Sequence, residues 1–324
     1  MLKIFETNLA KRLIKTKALS PPIDIFKLSR EYAHVEVDYI PLDVDAVCFN
    51  LKISGVMPTI VVNRARNKKR QRFTVAHELG HVLIPWHRGV IVDDTTDEKE
   101  MPFEYREMEF EANRFASELL MPDDWVKKLA DEFSSPADVV DRISVEADVS
   151  IQAAIIRSFG FLRPGIVFAQ LDERNQVINS FRSEGTFANA LHLRSTIDPK
   201  RIFPFASGSW VRKIGRGGFY HWWEMPTSID VSGIADDDWR VILHEMLRDI
   251  GLESGEAKKA YASISATSAA ANGIIRGDKN VGSTYSAILQ RFVSKARTEE
   301  IYDLLMKHPK IRRYIANRAR SLIT

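Results

Sequence analysis

The chain has 324 residues, of which 45% are hydrophobic and 27% are charged; this composition is typical of soluble globular proteins, and the length predicts two or three domains. It has no run of eighteen apolar residues, which argues against a transmembrane helix and a membrane partner. The net charge of +3 is unevenly spread, because residues 257–324 hold 13 Lys/Arg against 4 Asp/Glu, a net of +9 that leaves −6 for the rest.

The first half of the chain predicts helices around a small set of strands. Apolar residues at a helical period predict helices, and short apolar or alternating runs predict strands. The predicted helices are 3–17, 23–32, 73–84, 104–120, 123–133, 136–145 and 149–161. The predicted strands are 35–42, 46–53 and 59–63. An acidic segment at 93–100 is expected to form an exposed loop.

The second half predicts a small α+β module with a helical extension. Arg163-Pro164-Gly165 is the expected domain boundary, because Pro and Gly interrupt regular structure there. The predicted strands are 165–172, 176–182, SGSWVRK (207–213) and GFYHWWEMP (218–226), with a helix at 188–194 and helices over the last seventy residues. The net positive charge of those helices suggests either a polyanion partner or a solvated surface.

The motif that carries most chemistry is His77-Glu78-Leu79-Gly80-His81, an H-E-x-x-H sequence on a predicted helix. At 3.6 residues per turn the two histidines share one face and can reach one zinc ion. Glu78 lies about 100° around the helix, so it misses the metal and can take a proton from a water bound there. Gly80 is expected to leave space beside the metal. The alternative is a pair of histidines on an ordinary surface helix.

A catalytic zinc site needs a third protein ligand and one open position. No further histidine follows at the spacing that extended zinc motifs use, so the ligand should come from another helix. Glu109 and Glu111 are the candidates, and their separation of about 200° around a helix allows only one to face inward. Asn113 lies one turn after Glu109, where it can hydrogen-bond a ligating histidine.

The segments RQRFTVAHELGHVL and EFEANRFASELLMP together resemble the ImmA/IrrE family of bacterial metallopeptidases, over roughly residues 20–160. The resemblance implies a gluzincin-like zinc peptidase domain, with one zinc ion per chain held by His77, His81 and Glu109 and with Glu78 as the catalytic glutamate. It also implies that the substrate is a helix-turn-helix repressor, whose cleavage switches on mobile-element, DNA-damage or anti-phage genes. A sensor-like domain of GAF type is expected after the peptidase domain.

Cys48 is the only cysteine of the chain. A lone cysteine cannot form an internal disulfide, and the N-terminal segment lacks the apolar core of a secretory signal, so we expect a cytoplasmic location. Cys48 lies in a predicted strand before the metal helix, where an edge strand of such peptidases often lines the cleft. Its thiolate is therefore a candidate inhibitory zinc ligand, and the alternative is a small buried hydrophobic side chain.

Basic and aromatic residues alternate in the aromatic-rich strands of the second half. This pattern suits single-stranded nucleic acid, because bases stack on aromatic rings and phosphates pair with cations. The candidate contacts are Arg212, Lys213, Arg216 and Trp222. Aromatic residues in strands are more often part of a core.

The sequence thus predicts an α+β protein with three parts. They are a zinc metallopeptidase domain (1–133), a helical segment resembling a helix-turn-helix (134–162), and a GAF-like α+β sensor domain with a basic helical C-terminus (163–324). The predicted function is a zinc endopeptidase that cleaves a repressor to switch on a stress, mobile-element or antiviral defence operon, with single-stranded DNA as activator. The alternative is a DNA-binding regulator whose zinc helix is only structural. The surplus of acidic residues in 137–157 disfavours that alternative, because a DNA backbone repels it.

Overall fold

The fold was taken from a computed structural model that describes residues 5–94, 103–215, 217–275 and 279–323. The chain divides into two compact units, Met1–Phe161 and Leu162–Thr324. Both contain helices and a small sheet, so the α+β expectation is confirmed. Within the described ranges, no helix is both long enough and apolar enough to cross a bilayer.

The N-terminal unit contains a four-stranded sheet. Its helices precede the strands, follow them, and in one case lie between the third and fourth strand in the sequence. Its strands are β1 (His34–Asp38), β2 (Val44–Leu51), β3 (Thr59–Asn63) and β4 (Gly89–Asp94). Its helices are α1 (Phe5–Lys17), α2 (Ile25–Ser29), α3 (Lys68–Leu83), α4 (Phe103–Leu120), α5 (Asp123–Glu132), α6 (Pro136–Glu146) and α7 (Ile151–Ser158). The motif helix α3 begins five residues earlier than its apolar pattern predicts, because the Asn67 side chain accepts a hydrogen bond from the Arg70 amide and caps it.

The sheet order is β1-β3-β2-β4, with β1 parallel to β3 and the other pairs antiparallel. Strand β2 is interior, since Cys48 pairs with Ile60 of β3 on one side and with Ile91 of β4 on the other. Strand β4 was not predicted; it includes the start of the segment expected to be an acidic loop, and residues 95–100 of that segment lie outside the described residues.

Helices α3 and α4 pack closely against each other at Gly80. A Cβ atom added there would lie 3.1 Å from Phe115 Cδ1 and 3.2 Å from the Ala112 Cα. Gly80 therefore faces the helix interface and not the metal side of α3, which corrects the expectation that it leaves space beside the metal. The absence of a side chain lets the two ligand-bearing helices approach.

We expect Gly80→Val to lower the free energy of unfolding of the N-terminal unit by about 2 kcal/mol, because it forces extra carbons into a packed core. This corresponds to a fall in Tm of roughly 4–8 °C for a unit of this size. The control is Gly255→Val in the C-terminal unit, where an added Cβ meets nothing within 4 Å. Equal Tm values for both variants in differential scanning calorimetry would contradict the assignment.

Helices α6 and α7 belong to the N-terminal unit and do not form the separate 134–162 segment that the sequence suggested. Arg157 of α7 forms ion pairs with Glu118 (2.6 Å) and Asp123 (2.7 Å). The turn between α6 and α7 is bound to α3, because Lys69 Nζ lies 2.8 Å from the Val149 carbonyl and Arg72 donates to the Asp148 carbonyl at 3.2 Å. These polar contacts join the helix-turn-helix-like element to the start of the motif helix.

The C-terminal unit has an antiparallel sheet of order β6-β5-β8-β7 followed by helices. Its strands are β5 (Ile166–Leu171), β6 (Val177–Arg182), β7 (Gly208–Lys213) and β8 (Phe219–Glu224). Its helices are α8 (Trp239–Asp249), α9 (Ser254–Gly273), α10 (Val281–Ala296), α11 (Glu300–Lys307) and α12 (Ile311–Ile323). The helices share a buried core that includes Leu243, Phe292, Tyr302 and Tyr314.

The helix expected at 188–194 is absent from the structure, where these residues form an irregular segment beside β6. Contacts with β6 satisfy its backbone polar groups: the Leu191 amide donates to Ser180 Oγ (2.8 Å) and the Arg194 amide to the Val177 carbonyl (2.8 Å). Tertiary hydrogen bonds thus override a weak local helical preference. Helix α8, by contrast, was not predicted.

Several cations of the C-terminal helices form ion pairs within their own unit. Lys310 pairs with Glu245 (2.9 Å) and Arg313 pairs with Asp237 (2.5 Å). The Arg318 guanidinium stacks 4.1 Å from the centroid of a Trp239 ring. The positive charge counted from the sequence is therefore partly neutralised by acidic residues that precede it in the chain.

Candidate metal centre

Helices α3 and α4 bring two imidazoles and one carboxylate to a common point. The Nε2 atoms of His77 and His81 lie 3.0 Å apart. Glu109 of α4 places Oε2 at 3.0 Å from His77 Nε2 and Oε1 at 3.5 Å from His81 Nε2. Both histidines are almost fully buried, and the Glu109 side chain is 17% exposed.

These three side chains have the spacing that a tetrahedral zinc ion requires. Ligand atoms about 2.0–2.1 Å from such an ion lie roughly 3.3 Å from each other. The separations here range from 3.0 to 3.5 Å. Among the described residues, one cluster of potential metal ligands has all its donor atoms within 4.8 Å of one another, and it consists of His77, His81 and Glu109. Two nitrogens and one oxygen form a donor set that zinc accepts, with one coordination position left open.

A hydrogen bond to Asn113 at Nδ1, the ring nitrogen that faces away from the other ligands, fixes the orientation of His77. Asn113, one turn after Glu109 on α4, places Oδ1 3.0 Å from His77 Nδ1. An amide oxygen only accepts, so Nδ1 carries the proton and the Nε2 lone pair faces His81 and Glu109. A lone pair directed at a second imidazole nitrogen and a carboxylate oxygen is electrostatically unfavourable unless a cation lies between them. This arrangement fits a metal ion.

Burial also sets the protonation of these groups. Burial, together with the neighbouring His77, lowers the pKa of His81 to about 4, so its ring is neutral near pH 7 and keeps a lone pair. Burial alone would raise the pKa of Glu109, but the two imidazoles of His77 and His81 beside it outweigh burial and lower the pKa to about 2. Neutral imidazoles and an ionised carboxylate are the forms that bind a metal.

Glu78 follows His77 on α3 and is completely buried. Its carboxylate is close to the Cys48 thiol, whose pKa is raised by burial first and by this carboxylate second. Glu78 directly follows the ligand His77 in the sequence but does not belong to the cluster of ligand atoms.

Cys48 does not lie where the sequence-based hypothesis required it. Its side chain is buried in interior strand β2, not on an edge strand, and it is not part of the described ligand cluster. The thiol faces Glu78, and its raised pKa disfavours the thiolate that would bind zinc. The arrangement matches the alternative, a small buried side chain.

Comparison with known proteins identifies this unit. The sequence profile of the IrrE N-terminal-like domain matches residues 30–159, which include the whole sheet, α3 and α4. The N-terminal unit carries an IrrE N-terminal-like domain. This confirms the resemblance to the ImmA/IrrE family that the two motifs indicated.

Two relatives of the IrrE N-terminal-like domain are named radiation response metalloprotease IrrE. The protein from Deinococcus radiodurans is 25% identical over 138 residues, which are 43% of this chain and 40% of the relative. The protein from Deinococcus deserti is 29% identical over 110 residues, which are 34% of this chain and 39% of the relative. The chain thus spans about two fifths of the length of these relatives.

One solved structure, a Mycobacterium tuberculosis transcriptional regulator, aligns with 67% of this chain and 86% of its own length. The TM-score is 0.40 and the sequence identity is 12%. A likeness this weak carries no argument about fold or function.

The IrrE N-terminal-like domain contains a second layer of polar residues that sequence reasoning did not assign. His87, which follows α3, lies 2.9 Å from His81 through the two Nδ1 atoms and 2.9 Å from Glu111 through its Nε2. The sequence offered Glu111 as an alternative metal ligand. In the structure, His87 and Glu111 both lie on the Nδ1 side of His81. Their separation from the motif in sequence left no local signal for this contact.

The candidate nucleic-acid residues lie outside the IrrE N-terminal-like domain, and the structure does not bring them together as one surface. Trp222 is 1% exposed, so its ring cannot stack on a base, which corrects that expectation. Its ring packs on Phe168, with the centroids 5.3 Å apart. Arg212 and Lys213 lie on β7, an edge strand, and Lys213 is exposed. Arg216 lies outside the described residues.

Proposed function

We propose that the IrrE N-terminal-like domain of this protein is a zinc-dependent endopeptidase that binds one zinc ion per chain. The observation that carries the proposal is the convergence of His77 Nε2, His81 Nε2 and a Glu109 carboxylate within 3.0–3.5 Å. The buried Glu78 directly follows His77 on α3. Two histidines, an acidic third ligand and an adjacent glutamate form the ligand and base set of zinc-dependent hydrolases.

Peptide hydrolysis needs a nucleophile, a polarised carbonyl and a proton for the leaving amine. Zinc, when bound, supplies Lewis acidity that makes water more acidic and stabilises negative charge on a carbonyl oxygen. Glu78 takes the proton of the attacking water and returns it to the leaving nitrogen. His77, His81 and Glu109 hold the metal, and Asn113 orients His77.

For the substrate we propose a helix-turn-helix transcriptional repressor, cut to switch on a stress, mobile-element or antiviral defence operon. Support comes from the family of the domain and from relatives named for the radiation response. The test uses a helix-turn-helix protein, if one is encoded next to this gene, incubated with the zinc-loaded protein and followed by gel electrophoresis and mass spectrometry. We expect one major cleavage site, and an intact repressor alongside cleavage of unrelated unfolded proteins would contradict this substrate.

We further propose that the C-terminal unit is a GAF-like sensor and that single-stranded DNA is its activating ligand. Trp222 is buried and gives no support to this proposal. The remaining support is the basic end of edge strand β7, formed by Arg212 and the exposed Lys213. We expect a fluorescein-labelled oligo-dT to bind in fluorescence polarisation, with affinity that falls as salt rises. The double variant Arg212→Glu/Lys213→Glu should weaken binding, whereas the control Lys258→Glu/Lys259→Glu on α9 should not.

No rise in polarisation at low salt, or equal losses in the two double variants, would exclude this ligand site. Either outcome leaves the peptidase proposal untouched, because the metal ligands are in the N-terminal unit.

The rival function, a DNA-binding regulator with a purely structural zinc helix, receives less support. Arg157 of the helix-turn-helix-like element is engaged by Glu118 and Asp123, so it is not free for phosphate. A structural zinc site is also normally closed by four protein ligands, whereas the described cluster has three.

A further inference from the structure

His87 lies in a buried chain of hydrogen bonds that starts at Glu111 and ends at the metal ligand His81. His87 is 0% exposed, and the Glu111 side chain is 12% exposed. Glu111 Oε2 lies 2.9 Å from His87 Nε2 and 2.6 Å from Trp86 Nε1. His87 Nδ1 lies 2.9 Å from His81 Nδ1. The Nε2 atom of His81 is the one that faces His77 and Glu109.

The direction of these hydrogen bonds follows from the chemistry of the groups. An ionised carboxylate can only accept, so Nε2 of His87 carries a proton and donates it to Glu111. A neutral His87 then has its lone pair on Nδ1 and must accept from His81. His81 therefore has its proton on Nδ1 and its lone pair on Nε2, directed at the other ligands. Glu111 thus sets the tautomer of His87, and His87 sets the tautomer of His81.

We propose that His87 and Glu111 are positioning residues that fix the tautomer and the ring orientation of His81. They act on His81 as Asn113 acts on His77, so each histidine of the motif has its own support. This inference rests on the proposed metal site and extends it to residues that do not touch the metal.

The contact between His87 and Glu111 also explains why the acidic side chain of Glu111 is tolerated in a poorly solvated position. A carboxylate placed away from water is unfavourable unless donors surround it, and Trp86 and His87 provide two donors to one oxygen of Glu111. Glu111 is separated from the ligand cluster by the ring of His87. We therefore infer that Glu111 is not a metal ligand and acts on the ligand His81 through His87.

The test measures zinc affinity by competition with a chromophoric chelator, for the wild-type chain and four variants. We expect His87→Ala to weaken zinc binding by about 10- to 100-fold, the usual effect of losing a group that orients a ligand. His87→Asn should recover part of that loss, because its amide oxygen can accept near the position of Nδ1, as Asn113 does for His77. Trp86→Phe is the matched control: it removes a donor to Glu111 but keeps the dyad, so affinity should stay within about 3-fold.

Glu111→Gln tests the direction of the chain with an almost isosteric side chain. A glutamine amide can donate as well as accept, so it no longer dictates the tautomer of His87. We expect weaker zinc binding and, in ¹⁵N-resolved histidine spectra of the metal-free protein, a His81 ring that populates the Nε2-protonated form. The wild-type ring should be protonated on Nδ1 alone.

Unchanged zinc affinity in both His87→Ala and Glu111→Gln, or a His81 ring that stays protonated on Nδ1 alone in Glu111→Gln, would overturn the proposal. Failure of the wild-type chain to bind zinc would instead overturn the proposed function. Circular dichroism of each variant shows that a loss of affinity is measured on folded protein.

Discussion

Replacing Glu78 with Gln is expected to lower kcat for repressor cleavage by roughly 100- to 10,000-fold, the usual contribution of a general base. Gln has nearly the same shape but cannot take a proton from water. Glu78 is fully buried and does not belong to the ligand cluster, so zinc binding should stay the same. The measurements are single-turnover cleavage and zinc content by mass spectrometry of the same sample.

The matched control for this change is Glu104→Gln, an exposed position in the first turn of α4. It removes one negative charge from the same unit and should leave kcat within about 2-fold of wild type, in line with the small effects of surface substitutions. Cleavage by Glu78→Gln at the wild-type rate, with zinc still bound, would remove Glu78 from the mechanism and favour a structural metal.

Removing the third ligand is expected to have the largest effect on the metal. Glu109→Ala should weaken zinc binding by more than about 100-fold, exceeding the loss expected when a supporting residue is changed. It should also reduce the stabilisation by zinc: at 1,000 times its Kd, a ligand adds about 4 kcal/mol to the folded state, and a 100-fold weaker Kd at the same zinc concentration leaves about 1.4 kcal/mol. The Tm of Glu109→Ala should therefore fall much less than the wild-type Tm when a chelator is added.

Glu104→Ala on the same helix is the control, and its Tm should remain as sensitive to the chelator as that of the wild type. A Glu109→Ala protein that still binds zinc with wild-type affinity would show that another residue completes the site. That result would also contradict the fit deduced from the separations of 3.0 and 3.5 Å between Glu109 and the two histidines.

The sequence alone was sufficient where the relevant geometry is local to one helix. Residues four apart share a face of any α-helix, so His77 and His81 could be paired, and Asn113 could be placed with Glu109, before any fold was known. Strand β3 was predicted with its observed bounds, because TIVVN combines β-branched residues with flanking breaks. The family resemblance came from the same local motifs.

Geometry between elements was decided only by the tertiary structure. Local periodicity did not decide between Glu109 and Glu111, and the family resemblance favoured Glu109. The packing of α4 on α3 places Glu109 against both histidines and Glu111 against His87. The same holds for Cys48, which became interior when β4 paired with β2.

The burial of Trp222 and the course of residues 188–194 also depend on packing between distant segments. The physical reason is that side-chain periodicity fixes directions around one helix or strand, whereas distances between elements arise from the packing of the whole unit.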